Sequence, residues 1–290
     1  MRNLLYITML VSIISSCREE PPLIYFNLYS VSDSTYTINN IPSAQPRNSL
    51  MEDYTGVRCA NCPNAHDAAK NLSNSNNGRM NILSIHPTDN PLGKPYTNFT
   101  GYQDFTLKEG AELMSIFGTD KNLPSIGLDR IINNSKKKFL TNSVNNWTTT
   151  LVNQLSIKTP LNIDIENSIV STNDSVRITC YITATEQVKD SVYLSLIMLE
   201  DKIVNPQENS LAEIDTFYVH DNVARGFITS HYGTYLKTNF TTGKVYRKQL
   251  TVPLLSNWNK DNCKILAFVH RKVDTKSNCE IWHSQTKKIK

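Results

Sequence analysis

The sequence predicts two folded units in tandem, an α/β unit followed by an antiparallel β-sandwich. The first is predicted because strand-like and helix-like segments alternate over residues 47–157, an order typical of an α/β layer. The second is predicted because about seven runs of alternating apolar residues follow, separated by clusters of Asn, Asp, Gly and Ser. We therefore expect an immunoglobulin-like sandwich over residues 158–290.

Length and composition exclude several functional classes. A chain of 290 residues can bury two cores. The formal net charge is only +4, and the one tight basic run is Lys136-Lys137-Lys138, so no nucleic-acid partner is expected. The sequence has no glycine-rich phosphate loop, no H-E-x-x-H and no G-x-S-x-G motif. No cofactor is predicted.

The first residues are typical of an export signal. Residues 1–16 have an early Arg2 and an apolar stretch too short to span a bilayer. Ser15 and Ser16 before Cys17 resemble a bacterial lipobox, so Cys17 is the predicted lipidation site. An ordinary cleaved signal with an incidental cysteine is the alternative. Several acyl chains would anchor the protein firmly to a membrane.

A polar segment follows, and we interpret residues 17–46 as a tether or linker that could add a strand to the next domain. Its first charged residues, Arg18-Glu19-Glu20, resemble the surface-export signal of lipoproteins in Bacteroidetes. A solvated tether is the alternative. The predicted location is therefore the outer membrane, lipid-anchored and exposed on the cell surface.

A C-x-x-C motif lies at the centre of the α/β unit. Ser49–Tyr54 is predicted to be a strand, and a helix is predicted to start near Pro63, with Cys59 and Cys62 between them. A strand, a turn and two cysteines opening a helix are typical of a thioredoxin-like redox domain. Free backbone N–H groups and the helix dipole there favour a Cys59 thiolate.

The pair admits three interpretations: redox centre, structural disulfide or metal ligands. As a redox centre, Cys59 is the attacking and more exposed thiol, Cys62 resolves, and Arg58 lowers the pKa of Cys59. As metal ligands, the cysteines could hold zinc or copper with His66 and His86. The favoured prediction is a Cys59–Cys62 disulfide with no metal, His66 and His86 being retained with Arg58 as candidate binding residues.

Pro124 is the third predicted element of the redox site. It stands between the end of a predicted helix, Leu107–Phe117, and a predicted strand, Ser125–Ile132. Thioredoxin-like domains place a cis-proline at this position, beside the two cysteines. The alternative is an ordinary proline at the first residue of a strand. We predict a cis Leu123–Pro124 bond.

The remaining elements of the α/β unit follow from the same pattern. Helices are also predicted at Pro63–Ser73 and Ser143–Leu155, and a strand at Met80–His86. The irregular insertion Pro87–Thr106 is long for a loop without secondary structure, which is typical of functional or mobile loops.

The β unit offers weaker candidates. His220 and Arg225 are predicted to be structural, with the arginine pairing with a loop carboxylate. Cys180 alternates with apolar residues and is interpreted as a small core residue. The pairing of Cys263 and Cys279 depends on where their hairpin turns, and the sequence leaves this open.

The stretch from Met51 to Pro63 resembles the signature of the outer membrane protein 28-related lipoproteins of Bacteroidetes. Two later stretches, Tyr218–Arg225 and Ile265–Val269, also resemble that family, with departures at Asn222 and Ala224. The resemblance implies a thioredoxin-like domain, a β domain and an outer-membrane lipoprotein. It implies no defined reaction.

Two functions remain open. The first is thiol–disulfide exchange on envelope or surface polypeptides. The second is a non-catalytic binding or adhesion lipoprotein that uses the thioredoxin fold as a scaffold with a structural disulfide, because fold alone does not decide function.

Overall fold

The computed structural model describes residues 30–117, 121–132, 144–170, 174–274 and 278–290. The predicted signal peptide, Cys17 and the triplet Arg18-Glu19-Glu20 lie outside these residues, as does the basic run Lys136-Lys137-Lys138. In the described part of the chain, no helix is long and apolar enough to cross a membrane.

The structure is mostly β-sheet with three α-helices in its described parts. The helices are α1 (Cys62–Ser75), α2 (Lys108–Phe117) and α3 (Val144–Ser156). The strands are β1 (Ser30–Thr37), β2 (Ser49–Tyr54), β3 (Met80–Pro87), β4 (Thr106–Leu107), β5 (Ser125–Leu128), β6 (Leu161–Val170), β7 (Ser175–Ala184), β8 (Val188–Glu200), β9 (Ile203–Val204), β10 (Gln207–Glu208), β11 (Ile214–Asp215), β12 (Val219–His220), β13 (Val223–Phe227), β14 (Thr234–Phe240), β15 (Lys244–Pro253), β16 (Cys263–His270) and β17 (Ile281–Lys288).

Two sheets contain most of these strands. The larger one has the order β17-β16-β8-β13-β3-β2-β5, with β14 also beside β8 and β4 beside β3. The smaller one has the order β1-β15-β7-β6. The segment between β8 and β13 forms two further two-stranded sheets, β9–β12 and β10–β11.

The two sheets enclose the largest core. It combines inward-facing residues of the smaller sheet, such as Ile163, Ile178 and Leu250, with Leu196 and Ile265 of the larger sheet. Alternation places these apolar side chains on one face of each strand, as the sequence predicted. This arrangement is compatible with the predicted β-sandwich.

Helices cover the other end of the large sheet. On the face carrying Met51, α1 and α3 pack through Ala69 and Trp147. On the opposite face, α2 packs through Leu113 against Leu83. The β2–α1–β3–α2–β5–α3 order agrees with the alternation predicted from the sequence.

The large sheet runs through both predicted units. β13 lies parallel to β3, with Val223 beside Ser84, and the Ser84 N–H donates to the Asn222 carbonyl at 3.0 Å. Strands from before and after residue 158 are therefore hydrogen-bonded to one another, and this contact positions the candidate site.

The linker prediction for residues 17–46 requires a correction. Ser30–Thr37 forms the edge strand β1 and pairs antiparallel with β15, from Ser30 beside Thr251 to Thr37 beside Lys244. The segment contributes a strand as considered possible, but to the smaller sheet and not to the α/β domain that follows it. Without β1, the edge of β15 would be unpaired, and such an edge offers main-chain hydrogen-bond partners to an extended segment even when that segment is polar.

The strand predicted at Ser125–Ile132 ends early, at Leu128. Asp129 and Arg130 have φ values of 47° and 53°, which is left-handed backbone incompatible with a strand. The turn directs both side chains into the interior. There Asp129 meets Arg47 at 3.3 Å and Arg130 meets Glu52 at 2.7 Å.

Candidate functional site

The two cysteines lie where the sequence predicted, between β2 and α1. Cys62 is the first residue of α1, Pro63 occupies its first turn, and Cys59 lies in the preceding turn. The two are joined in a disulfide with a Cα–Cα distance of 5.3 Å. The Cys59 N–H donates to the Gly56 carbonyl, and the Cys62 N–H donates to the Cys59 carbonyl, each at 3.0 Å.

Cys59 is slightly more exposed than Cys62, in the order predicted from the sequence, but neither residue is accessible. Cys59 is 2% exposed and Cys62 is 0% exposed, so both are buried. Two segments remote in sequence cover the turn that carries Cys59. We call residues 203–220, which contain β9 to β12, the flap, and the second segment is part of the predicted insertion.

The flap attaches to the cysteine turn through main-chain and amide contacts. The Glu208 N–H donates to the Val57 carbonyl at 2.8 Å. The Gln207 side-chain amide donates to the Gly56 and Cys59 carbonyls, each at 3.2 Å. Because these bonds use the backbone of the turn itself, the flap seals the turn directly.

The insertion covers the turn from another direction. The Arg58 N–H donates to the Leu92 carbonyl at 2.9 Å. A Cβ on Gly56 would lie 2.3 Å from the Leu92 oxygen, so this close approach requires glycine. The insertion predicted as a long functional or mobile loop is therefore packed on the site.

Arg58 contacts the insertion, which in turn contacts the flap. Its guanidinium donates to the Lys94 and Pro95 carbonyls at 3.0 and 2.8 Å, and lies 4.1 Å from the centre of the Tyr96 ring. The Tyr96 hydroxyl donates to Glu208 of the flap at 2.8 Å. Arg58 thus holds the insertion in place, and its charge is directed toward main-chain carbonyls.

Pro124 lies at the sheet edge where the cysteine turn begins. The Leu123–Pro124 bond is cis, which confirms that prediction. β5 runs antiparallel to β2 with Ser125 beside Tyr54, so the residue before Ser125 is level with the end of β2.

His66 connects the helix, the sheet and the flap. Its Nε2 lies 2.9 Å from the Thr55 hydroxyl and 3.2 Å from an Asp53 carboxyl oxygen, and its Nδ1 lies 2.9 Å from the Tyr218 hydroxyl. Sequence reasoning missed Asp53, Tyr218, Gln207 and Glu208. Asp53 was visible only as one of three polar residues in β2, and Tyr218 only as the first residue of the stretch Tyr218–Arg225, whereas nothing in the sequence distinguished Gln207 and Glu208.

His86 of β3 and His220 of the flap lie next to each other, with ring centres 6.4 Å apart. Phe105 packs edge-on against both rings, each at 5.1 Å. Burial lowers the pKa of His86 well below its usual value, and burial with nearby His66 lowers the pKa of His220 to about 3. Both rings are therefore neutral at physiological pH.

The predicted partner of Arg225 is found, although it belongs to a strand end. Arg225 Nε lies 3.3 Å from a carboxyl oxygen of Glu200, the last residue of β8, and both side chains are buried. Nε2 of His220 lies 3.1 Å from the Asn205 carbonyl. The first contact joins β8 to β13, and the second lies within the flap.

The described residues contain no group of three or more His, Cys, Asp or Glu that could hold a metal ion. Cys180, Cys263 and Cys279 are buried and form no disulfide. The hairpin left open by the sequence pairs His270 with Ile281, so Cys279 lies near its turn and Cys263 at its far end. Burial raises the pKa of Cys180 and Cys263 to about 12, which agrees with inert core thiols.

Among solved structures, the chain is similar to HBP35 of Porphyromonas gingivalis, with a TM-score of 0.66 at 13% sequence identity. That match covers 86% of this chain and 77% of that one, and it indicates a shared fold. A structural-genomics protein from Agrobacterium tumefaciens gives a TM-score of 0.49 at 12% identity, covering 84% of this chain and 95% of the other. No curated protein matches the sequence.

A family described as outer membrane protein Omp28 matches residues 113–288, which is more than half of the chain. The matched region begins within α2 and extends to the last residue of β17, so it includes β5 to β17 and the flap, and it begins after β1 to β4 and the two cysteines. This agrees with the family resemblance of the sequence and associates the protein with the outer membrane. The chain belongs to the Omp28 family of outer membrane proteins.

Proposed function

We propose that this chain is a lipid-anchored outer-membrane lipoprotein that binds a polypeptide at the cell surface. In this proposal residues 47–157 form a thioredoxin-like domain used as a scaffold, residues 158–290 form the β-sandwich domain, and Cys59–Cys62 is a structural disulfide. The observation that carries the proposal is the burial of both cysteines, at 2% and 0% exposure, beneath the flap and the insertion.

The thioredoxin-like assignment is supported by the order of elements and by the position of the motif. β2 leads into Cys59, Cys62 opens α1, and Pro124 precedes β5 at the same edge of the sheet. Such a scaffold carries no activity by itself. Binding of a partner is supported by the outer surface of the flap, where Val204, Leu211, Phe217 and Val219 are exposed.

Thiol–disulfide exchange is the second candidate, favoured by the position of Cys59 before the N-terminus of α1. In that reaction, the Cys59 thiolate attacks a substrate disulfide and releases one substrate thiolate. The Cys62 thiolate then attacks the mixed disulfide, which releases the second substrate thiolate and regenerates the Cys59–Cys62 disulfide. Pro124 would border the substrate strand. Displacement of the flap would have to precede attack, since Cys59 is covered.

The reduction potential of the Cys59–Cys62 pair distinguishes the two functions. We expect a potential below about −300 mV, as for structural disulfides, with slow reduction by dithiothreitol. Gln207→Ala removes two bonds to the cysteine turn and should accelerate reduction. Gln249→Ala, on β15 in the other sheet, should leave the rate unchanged.

A potential in the range of oxidoreductases, about −270 to −120 mV, would contradict the structural role. Capture of an envelope protein in a mixed disulfide by Cys62→Ser, but not by Cys59→Ser, would establish exchange instead.

Lipid attachment at Cys17 is tested at the mature N-terminus. We expect mass spectrometry to find an acylated cysteine there, because the apolar run ends immediately before Ser15-Ser16-Cys17. Cys17→Ala should release the protein from the membrane fraction.

Surface export is tested by protease added to intact cells, which should digest the anchored protein. Replacing Arg18-Glu19-Glu20 with alanines should protect the anchored protein from that digestion. An unmodified N-terminus at another residue would contradict the anchor, and equal digestion of both forms would contradict the export role of the triplet.

A further inference from the structure

A cleft of about 270 Å³ lies between α1, β3 and the β12–β13 turn. Asp53 is the register partner of Ser84, and His86 follows Ser84 by two residues, so all three side chains point to the α1 face of the sheet. They line the cleft, together with His66 of α1 and with Tyr218 and His220 of the flap. His66 and His86 were candidate binding residues from the sequence, but neither of the two functions left open there assigns them a ligand.

Two of these residues have buried polar atoms with no hydrogen-bond partner. They are Oδ1 of Asp53 and both ring nitrogens of His86, and each residue is 1% exposed. Leaving a buried polar atom without a partner costs its full desolvation penalty, so buried polar groups are normally paired. Two such residues on one cleft therefore point to a ligand that hydrogen-bonds there.

The chemistry of these groups defines the ligand. The Asp53 carboxylate can only accept hydrogen bonds, and neutral His86 accepts at one nitrogen. Burial is the main reason that the pKa of Tyr218 is raised, and Asp67, Asp53 and Asp221 raise it further, so negative charge lies near this hydroxyl.

The rim also carries lysines. Lys264 donates to both carboxyl oxygens of Asp201 at 2.7 Å, and Lys70 lies 3.6 Å from Asp221, while Lys202 lines the rim as well. All three lysines lie at the rim of the cleft. Lys264 and Lys70 are paired there with carboxylates. The unpartnered carboxyl oxygen is at the floor, so the floor favours a cation.

We propose that this cleft binds the cationic side chain of a polypeptide, lysine or arginine, with Asp53 and His86 accepting hydrogen bonds from its ammonium or guanidinium group. The cleft has room for one long side chain. The proposal rests on the binding function proposed above and specifies the ligand class. Charge-assisted bonds to a buried carboxylate are among the stronger hydrogen bonds in proteins.

The test uses the full mature chain in detergent with three blocked tripeptides, acetyl-Gly-X-Gly-amide with X = Arg, Gln or Glu. Calorimetry measures affinity, and NMR of the histidine rings reports the cleft. We expect the Arg peptide to shift the His86 and His220 signals and to bind about tenfold tighter than the Gln peptide. Free L-arginine distinguishes a small-molecule site, because it should bind more weakly than the tripeptide.

Asp53→Asn should weaken binding of the Arg peptide about tenfold. Asp190→Asn, an exposed residue of β8 paired with Arg271, should bind like the wild type. Because Asp53 also contacts His66, Asp67→Asn on the exposed surface of α1 serves as a second variant, and it should weaken binding to a smaller extent.

Equal binding of the Gln or Glu peptide in the cleft would overturn the cationic class and leave the binding function standing. Binding that leaves the histidine signals unshifted, or that Asp53→Asn and Asp67→Asn both leave unchanged, would place the ligand elsewhere and overturn the proposal. Perturbation of the same signals by Zn²⁺, with no effect of the Arg peptide, would assign the cleft to a metal. The proposed function is tested by a different measurement, the reduction potential of Cys59–Cys62. Its failure can therefore be distinguished from failure of the cleft proposal.

Discussion

Replacing Arg130 with methionine should destabilise the fold by about 3–5 kcal/mol. Arg130 donates to the two carboxyl oxygens of Glu52 at 2.9 and 2.7 Å, and both side chains are fully buried. Its guanidinium also lies 4.8 and 5.3 Å from the rings of Phe117 and Phe268. Without Arg130, Glu52 would remain as an unpaired charge inside the larger sheet.

Urea unfolding followed by circular dichroism measures this loss. A double variant, Glu52→Leu with Arg130→Met, removes both charges and should recover much of the stability, because the penalty comes from the unpaired partner. Lys158→Met breaks an exposed pair with Glu186 and should cost less than about 1 kcal/mol. Equal stability of the single and double variants would show that the unpaired Glu52 carries no penalty.

Acid should unfold the protein well above the usual pKa of its carboxyl groups. Burial, with a smaller contribution from Arg47, lowers the pKa of His283 to about 4, and the pKa of His220 is about 3. An unfolded histidine has a pKa of about 6.5. Below that pH the unfolded chain therefore binds protons that the folded chain does not, and stability falls as the pH falls.

Each such histidine removes about 1.4 kcal/mol per pH unit. Between pH 6.5 and 4.5 the pair should therefore cost roughly 5 kcal/mol, comparable to the whole stability of many domains. Burial also lowers the pKa of His86 and His270, which adds to the effect. Asp129 acts in the opposite direction, because burial raises its pKa to about 6, and its protonation offsets about 2 kcal/mol of the loss by pH 4.5.

Unfolding free energies measured by urea titration at pH 7, 6, 5 and 4.5 test this expectation. His283→Gln should reduce the slope of stability against pH by about one histidine's contribution. Lys287→Ala, at an exposed position of β17, should keep the slope. A stability that stays constant from pH 7 to 4.5 would contradict buried neutral histidines.

The sequence by itself determined the local elements and their chemistry. The bounds of β2, Ser49–Tyr54, were predicted because a short run with apolar residues is followed by a turn and the two cysteines. Cys62 at the start of α1 was predictable from adjacent residues, and the cis bond before Pro124 was predictable from its place between a helix end and a strand downstream of the two cysteines. Period-two alternation likewise identified β6, β7 and β8. Short strands with a glycine, such as β13, gave too little alternation to detect.

Only the tertiary structure decided that the disulfide is covered. Glu208 reaches the cysteine turn by donating its backbone N–H to the Val57 carbonyl, and every residue except proline has such a group, so no side-chain pattern encodes the contact. The same holds for β1 beside β15 and for β13 beside β3, which join segments more than 100 residues apart. The cleft at Asp53 and His86 depends on these pairings, since its walls meet only when the flap closes over α1 and the large sheet.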